Sequence, residues 1–333
     1  MKITRKLTLS TAALLTIAAL AGCSGNTDST SGDSSVAQDN SSVAQDSSAA
    51  QDSSAAQDSS ADNGSTKTKL DTDITVVSRE DGSGTRGAFV ELMGIEQQNE
   101  AGEKEDMTRG DAEISNSTNG VMMSVAGNVD AIGYISLGSL NDTVKALDVN
   151  GVECSVDDIK AGTYVVARPF NVCYQQTKLD GNAAAKDLIA FIESDDGQKI
   201  IADNGYISIE STGAYTASGV SGAISLNGST SVGPIMEKLC EAYKALNPDV
   251  SIDIQQTGSG AGITSATEGS CDIGMSSREL KQEELDAGLT EMKIADDGIA
   301  VIVNLDNPIE NITSDEIMKI YTGEINNWSE LAD

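Results

Sequence analysis

The 333-residue sequence contains no histidine. That absence removes Ser-His-Asp and Cys-His nucleophilic catalysis, and with them every His-ligated metal centre. Aromatic residues make up 3% of the chain, with a single tryptophan. Few flat faces are therefore on hand for stacking nucleobases or sugar rings. Basic residues are outnumbered 52 to 21 and the formal net charge is −31, which excludes nucleic-acid capture by a basic patch. No Gly-Lys dipeptide occurs, so there is no Walker-type phosphate loop. Five cysteines are present without any CxxC spacing, which argues against a structural zinc site; no metal or cofactor is expected. The four that follow Cys23, namely Cys154, Cys173, Cys240 and Cys271, fit either disulfides or buried free thiols, and spacing leaves both open.

Long apolar runs are also absent, except at the start. Lys2, Arg5 and Lys6 precede an apolar, small-residue stretch over residues 7–22. It is too short for a comfortable transmembrane helix and reads as a secretory signal peptide, residues 1–22. The stretch ends in Leu20-Ala21-Gly22-Cys23, which resembles the lipobox of bacterial lipoproteins. That resemblance implies cleavage before Cys23 and a diacylglycerol on its thiol, holding the chain on the extracytoplasmic face of the cell membrane. From Ser24 to Thr66 the chain is almost all Ser, Ala, Asp, Gly, Gln, Asn and Thr, with SSVAQD and SSAAQD units repeating between Ser34 and Asp62. Such a composition cannot bury enough apolar surface to offset chain entropy, so residues 23–72 are expected to form a disordered tether.

The rest of the chain is long enough for two lobes with real cores. Short β-branched runs alternate with helix-like stretches. Strands are expected at 74–77, 131–135, 164–167, 223–226, 250–255, 272–275 and 299–304. Helices are expected at 88–93, 183–192 and on towards 201, 234–246, 263–268 and 313–321. Alternation of this kind predicts an α/β fold with largely parallel sheets.

What joins these elements carries the chemistry. Four turns rich in Ser, Gly and Thr lie between a strand and a helix: Asp81-Gly82-Ser83-Gly84-Thr85, Gly228-Ser229-Thr230-Ser231, Thr257-Gly258-Ser259-Gly260 and Ser276-Ser277-Arg278. Each would place hydroxyls and free N–H groups at a helix N-terminus, where aligned peptide dipoles favour a negative charge. Two arginines add to this. Arg79 ends a strand beside the first turn, and Arg278 is expected in a first helical turn, where the dipole disfavours a cation unless it faces an anion.

The run Ile74–Phe89 (ITVVSREDGSGTRGAF) resembles the phosphate-clamping segment of the PstS family, the phosphate-binding subunits of bacterial phosphate ABC importers. GSTSVGP (228–234), TGSGAGI (257–263), DIGMSSREL (272–280), DGIAVIVN (297–304) and GEINNW (323–328) are similar to further landmarks of that family. The order is exchanged, however: the family's leading half resembles residues 223–333 and its trailing half 73–206, as in a circular permutation.

The resemblance implies a two-lobed, type II periplasmic-binding-protein-like fold, with one lobe at 73–168 plus 305–333 and the other at 169–304. It implies a monomeric, non-enzymatic receptor for inorganic phosphate that works with the membrane permease of an ABC importer. By the same resemblance Arg79 grips two phosphate oxygens, with Asp81 holding its guanidinium. Ser83, Gly84, Thr85, Thr230, Ser231 and Ser259 donate hydrogen bonds, and Ser277 and Arg278 stand beside them. Ser277 occupies the place of a family Asp that accepts the proton of hydrogen phosphate and so rejects sulfate; Asp297 is the candidate to replace it. A receptor for sulfate or another tetrahedral oxyanion, and a secreted phosphoryl-transfer enzyme built on the same turns, are the alternative readings.

Overall fold

The structure is a computed structural model that describes residues 70–98 and 104–332. The signal peptide, Cys23 and nearly all of the tether expected from the sequence lie outside the described residues. Eight strands carry the main sheet path: β1 Thr75–Arg79, β2 Glu113–Ser115, β3 Ala131–Ser136, β4 Ala167–Gln175, β5 Gly222–Gly228, β6 Val250–Gln256, β7 Ile273–Ser276 and β8 Leu289–Val303. Their spatial order is β6-β5-β7-β4-β8-β3-β1-β2. The helices of nine or more residues among the described residues are α1 Gly84–Leu92, α2 Thr118–Ala126, α3 Ala183–Glu193, α4 Asp195–Asp203, α5 Gly233–Leu246, α6 Ser259–Glu268 and α7 Ser314–Thr322.

The pairing is mixed rather than largely parallel. β1 runs parallel to β2 and β3, and β5 runs parallel to β6 and β7. Between these two parallel groups, β4 and β8 run antiparallel to each other and to their outer neighbours. The reason is topological. Each parallel group grows by strand–helix–strand crossovers, which return the chain in the same direction. β4 and β8 instead carry the chain from one group to the other, in opposite senses.

Two main apolar cores result. One is built from residues between Ile74 and Val166 together with Ile299–Val303 and residues up to Leu331. The other runs from Phe170 to Ala295, with a small satellite around Cys173, Cys271 and Leu289. β8 is shared: Ile294 and Ala295 sit in the second core, and Ile299–Val303 in the first. The second crossing between cores therefore falls at 296–298, not at the 304–305 boundary expected from the sequence. The first falls at the start of β4, where Arg168 precedes Pro169.

Several element boundaries also differ from expectation. The strand expected at 164–167 begins only at Ala167, although the Val166 carbonyl already accepts from the Ile299 N–H at 2.8 Å. The helix from 183 does not continue to 201. It stops at Glu193, and Ser194, whose hydroxyl accepts from the Gly197 N–H, caps a separate α4. α2, short and poor in strong helix formers, was not anticipated. The four cysteines described are free and buried. Burial pushes the thiols of Cys154, Cys173 and Cys240 up to about 12, which keeps them protonated and unreactive.

The beginning and end of the described chain meet. Asp73 and Asn327 form an antiparallel bridge, and the Ile74 N–H donates to the Asn326 carbonyl at 2.7 Å. Residues 209–221, which connect the two halves of the sequence, contain no helix or strand and are mostly exposed.

Candidate anion site

β1 delivers Arg79 to the boundary between the cores. The strand is fixed from behind by Tyr134 of β3, whose ring stacks on Phe89 of α1 with centroids 3.9 Å apart. The Tyr134 hydroxyl contacts Ser78 Oγ at 2.9 Å and accepts from the Arg79 backbone N–H at 3.2 Å. Arg79 is buried, yet its guanidinium is not held by Asp81 as expected. Glu80 holds it instead, accepting from Nε at 2.8 Å and from Nη2 at 2.9 Å. Asp81 is 98% exposed and pairs with Arg86. The turn explains the exchange: Gly82, at φ +81°, reverses the chain and leaves Asp81 facing solvent. Arg86 has a supporting role that the sequence reading missed, because its Nη1 donates to the Arg79 carbonyl at 2.9 Å.

The hydroxyls of the two cores converge on this arginine. Arg79 Nη2 donates to Thr230 Oγ1 at 3.0 Å. Thr85 Oγ1 lies 3.0 Å from Ser231 Oγ. Thr230 and Ser231 are presented by the turn after β5, which Ser229 folds by accepting from the Ser231 and Val232 N–H groups. Ser83 is the N-cap of α1, its hydroxyl accepting from the Arg86 N–H at 3.3 Å; an oxygen used this way still has its own proton to donate.

A second pair of hydroxyls, Ser259 and Ser277, sits against Gly84. Their oxygens are 3.3 Å apart, and the Ser277 N–H donates to Ser259 Oγ at 3.1 Å. A Cβ at position 84 would come within 2.5 Å of Ser259 Oγ and 2.8 Å of Ser277 Oγ, so only glycine lets the two cores approach this closely. Backbone joins them as well, the Gly260 N–H donating to the Gly82 carbonyl at 2.9 Å. Arg79, Ser83, Gly84, Thr85, Thr230, Ser231, Ser259 and Ser277 are thus gathered at one junction, and all are buried. Thr118, at the start of α2, was not foreseen. Its Oγ1 lies 3.3 Å from Thr230 Oγ1 and 3.2 Å from Ser231 Oγ.

Two expected site residues lie elsewhere. Arg278 does not begin a helix; the next helix starts at Gln282. Its guanidinium is held by both carboxylate oxygens of Glu284, at 2.8 and 2.7 Å. It faces a groove of about 660 Å³ between α1 and the loop after β7, which Gly87, Arg168, Pro169 and Leu280 also line. Asp297 does not stand in for the missing carboxylate beside Ser277. It is fully buried on β8, with one oxygen accepting from Ser136 Oγ at 2.8 Å and the other from Arg168 Nη2 at 3.2 Å. Burial pushes its carboxyl up to about 6, against the opposing pull of Arg168 and Ser136. Arg168 and Asp297 face each other in register on β4 and β8, at the place where the chain passes between the cores. Nearby, the ring of Tyr206 lies directly over Gly138, leaving no room for a side chain there.

Chemically, the junction offers several hydroxyl donors, one arginine paired with Glu80 and the N-termini of helices from both cores. This set suits a small, multiply hydrogen-bonded anion.

Residues 37–196 and 213–333 match the model of a PBP superfamily domain. The phosphate-binding protein PstS 2 of Streptococcus agalactiae serotype V is 47% identical over 259 residues, covering 78% of this chain and 88% of that protein. The phosphate-binding protein PstS 2 of Streptococcus pneumoniae serotype 4 is 46% identical over 268 residues, covering 80% and 90%. A crystal structure of a phosphate-binding protein of a phosphate ABC transporter from S. pneumoniae TIGR4 is 47% identical, covers 78% of this chain and all of that one, and superposes with a TM-score of 0.62. At nearly half identity over about nine-tenths of its relatives' length, this chain belongs to the PstS family of phosphate-binding proteins, within the PBP superfamily.

Proposed function

We propose that the protein is an extracytoplasmic receptor that binds inorganic phosphate between its two cores and delivers it to the membrane permease of an ABC importer. The observation that carries this reading is the junction of Arg79 and Thr85 from one core with Thr230 and Ser231 from the other, in hydrogen-bond contact. A phosphate placed there would exchange water for fixed hydroxyl, amide and guanidinium donors, which compensates for its dehydration. No bond is made or broken. The two cores act as the lobes of a clamp, whose closure excludes water and whose opening releases the ion. The net charge of −31 repels phosphate at long range, so capture depends on the local donors.

The exchanged order of the two halves forms part of this proposal. Both halves are needed for the site, and the meeting of Asp73 with Asn327 allows either order to reach the same fold. Calorimetric titration of the purified protein with phosphate tests both points. One phosphate per chain is expected. A variant joined from 332 to 70 and opened between Gly213 and Gly219 should bind with the same stoichiometry. Binding of one phosphate per two chains would mean that the site is completed between molecules, and no binding at all would remove the phosphate reading.

We also propose that Cys23 carries the lipid anchor, on the strength of the Leu-Ala-Gly-Cys sequence that ends the apolar run. Two acyl chains on one residue suffice for stable membrane attachment. Cells fed a clickable fatty acid should label the wild-type protein and not Cys23→Ala. Equal labelling of the two would sink the anchor assignment.

A further inference from the structure

We propose that Thr118 is a further anion-binding residue: its hydroxyl, carried to the junction by the start of α2, donates directly to the bound ion. The inference rests on the phosphate reading and adds to it a residue from an element outside the four turns.

Thr118 is buried, at 3% exposure, and its helix does not need its hydroxyl. Ser117 caps α2 by accepting from the Gly120 N–H at 3.0 Å. The Thr118 oxygen instead points across to the other core, 3.3 Å from Thr230 Oγ1 and 3.2 Å from Ser231 Oγ. A position that served packing alone would be filled as well by valine, without the cost of burying a hydroxyl.

Thr85, Thr118, Thr230 and Ser231 bring four hydroxyl protons, and three contacts link their oxygens. Each contact uses one proton. Arg79 Nη2 adds a further donor to Thr230. At least one hydroxyl proton is therefore left over for another acceptor, and an oxyanion supplies acceptors only. Thr118, touching two of the other three oxygens, can release both contacts and turn its proton onto such an ion. Its place at the first position of a nine-residue helix adds the favourable end of the peptide dipole.

The test is calorimetric titration with inorganic phosphate of wild type, Thr118→Val and Thr118→Ser, alongside thermal unfolding of each without phosphate. Losing one hydrogen bond to a charged ligand predicts a weakening of about tenfold or more for Thr118→Val, with Thr118→Ser within about threefold of wild type. The phosphate-free melting temperature should be nearly the same for all three. A Thr118→Val protein that binds like wild type would overturn the proposal. So would a Thr118→Ser protein as weak as Thr118→Val, which would assign the effect to the methyl group. Should Thr118→Val fold poorly, Thr118→Ala removes the hydroxyl in its place, and wild-type affinity in that protein would equally overturn the proposal. Wild-type protein that gives no phosphate binding would overturn the phosphate reading itself, an outcome distinct from a failure of Thr118 alone.

Discussion

Arg168→Met is expected to lower stability by about 3–5 kcal/mol at pH 8, because it strands the Asp297 carboxylate without its counter-charge. In a protein of this size that corresponds to a fall in melting temperature of about 10 °C. Arg168 and Asp297 are 1% and 0% exposed, so water cannot take over from the missing partner. The effect should depend on pH, and its sign follows from Asp297. Its folded-state pKa is raised to about 6 by burial, above an unfolded value of about 3.9. A carboxyl shifted in that direction contributes stability that is fully present below the unfolded value and is lost as pH rises through about 6. Removing Arg168 takes away a charge that opposes the shift, so the pKa climbs further and the window extends upward. At pH 5 the variant's Asp297 is protonated, no charge is stranded, and the deficit should be much smaller than at pH 8. Thermal unfolding of both proteins at the two pH values decides this. Equal deficits would point to lost packing of the guanidinium, which lies 5.3 Å over the Phe170 ring, and not to a stranded charge.

Arg79→Ala should act on binding rather than on folding. Truncating one partner of a buried charge-assisted contact costs about 2–5 kcal/mol, which is at least about thirtyfold in the phosphate Kd. Glu80, left behind, is 22% exposed and can be solvated, so the phosphate-free protein should unfold near the wild-type temperature. Asp81→Ala provides the control. It cuts only the ion pair to Arg86 at a solvent-exposed carboxylate, and contacts of that kind contribute about 0–1 kcal/mol. Titration calorimetry on the three proteins is the measurement. If Asp81→Ala weakened binding as much as Arg79→Ala, Glu80 would not be the residue that orients the guanidinium. An Arg79→Ala protein with wild-type affinity would take Arg79 out of the site.

Much of the fold is legible in the chain itself. The β-branched run Thr75–Val77 and the alternation of Val250, Ile252 and Ile254 with polar residues announce strands. The Ser/Gly/Thr turns that follow β1, β5 and β6 announce where an anion would sit, since local backbone chemistry alone makes a helix N-terminus receptive to negative charge. The absence of histidine and of a Walker lysine excluded most catalytic readings without a structure. Those properties belong to single residues or short spans, which sequence records directly.

What remained hidden depends on groups far apart in the chain. No local signal shows that β4 and β8 run antiparallel between two parallel groups, because the pairing of Arg168 with Asp297 joins positions 129 residues apart. Nor does sequence tell which of two adjacent carboxylates reaches Arg79; the reversal at Gly82 turns Asp81 to solvent and leaves Glu80 in place. The same is true of Arg278, which pairs with Glu284 from a loop that forms no helix between Ser276 and Gln282. α2 is the clearest case. Thr118-Asn119-Gly120 reads locally as a loop, and its helix is held largely by packing Val121, Met122 and Val125 into the first core. Sequence alone determined which turns are rich in hydroxyls and glycine and that Arg79 follows directly on a β-branched strand. Tertiary structure decided which of those hydroxyls meet, and placed Thr118 beside Thr230 and Ser231, because hydrogen-bond partnership is set by distance in space, and distance in space by the packing of the two cores.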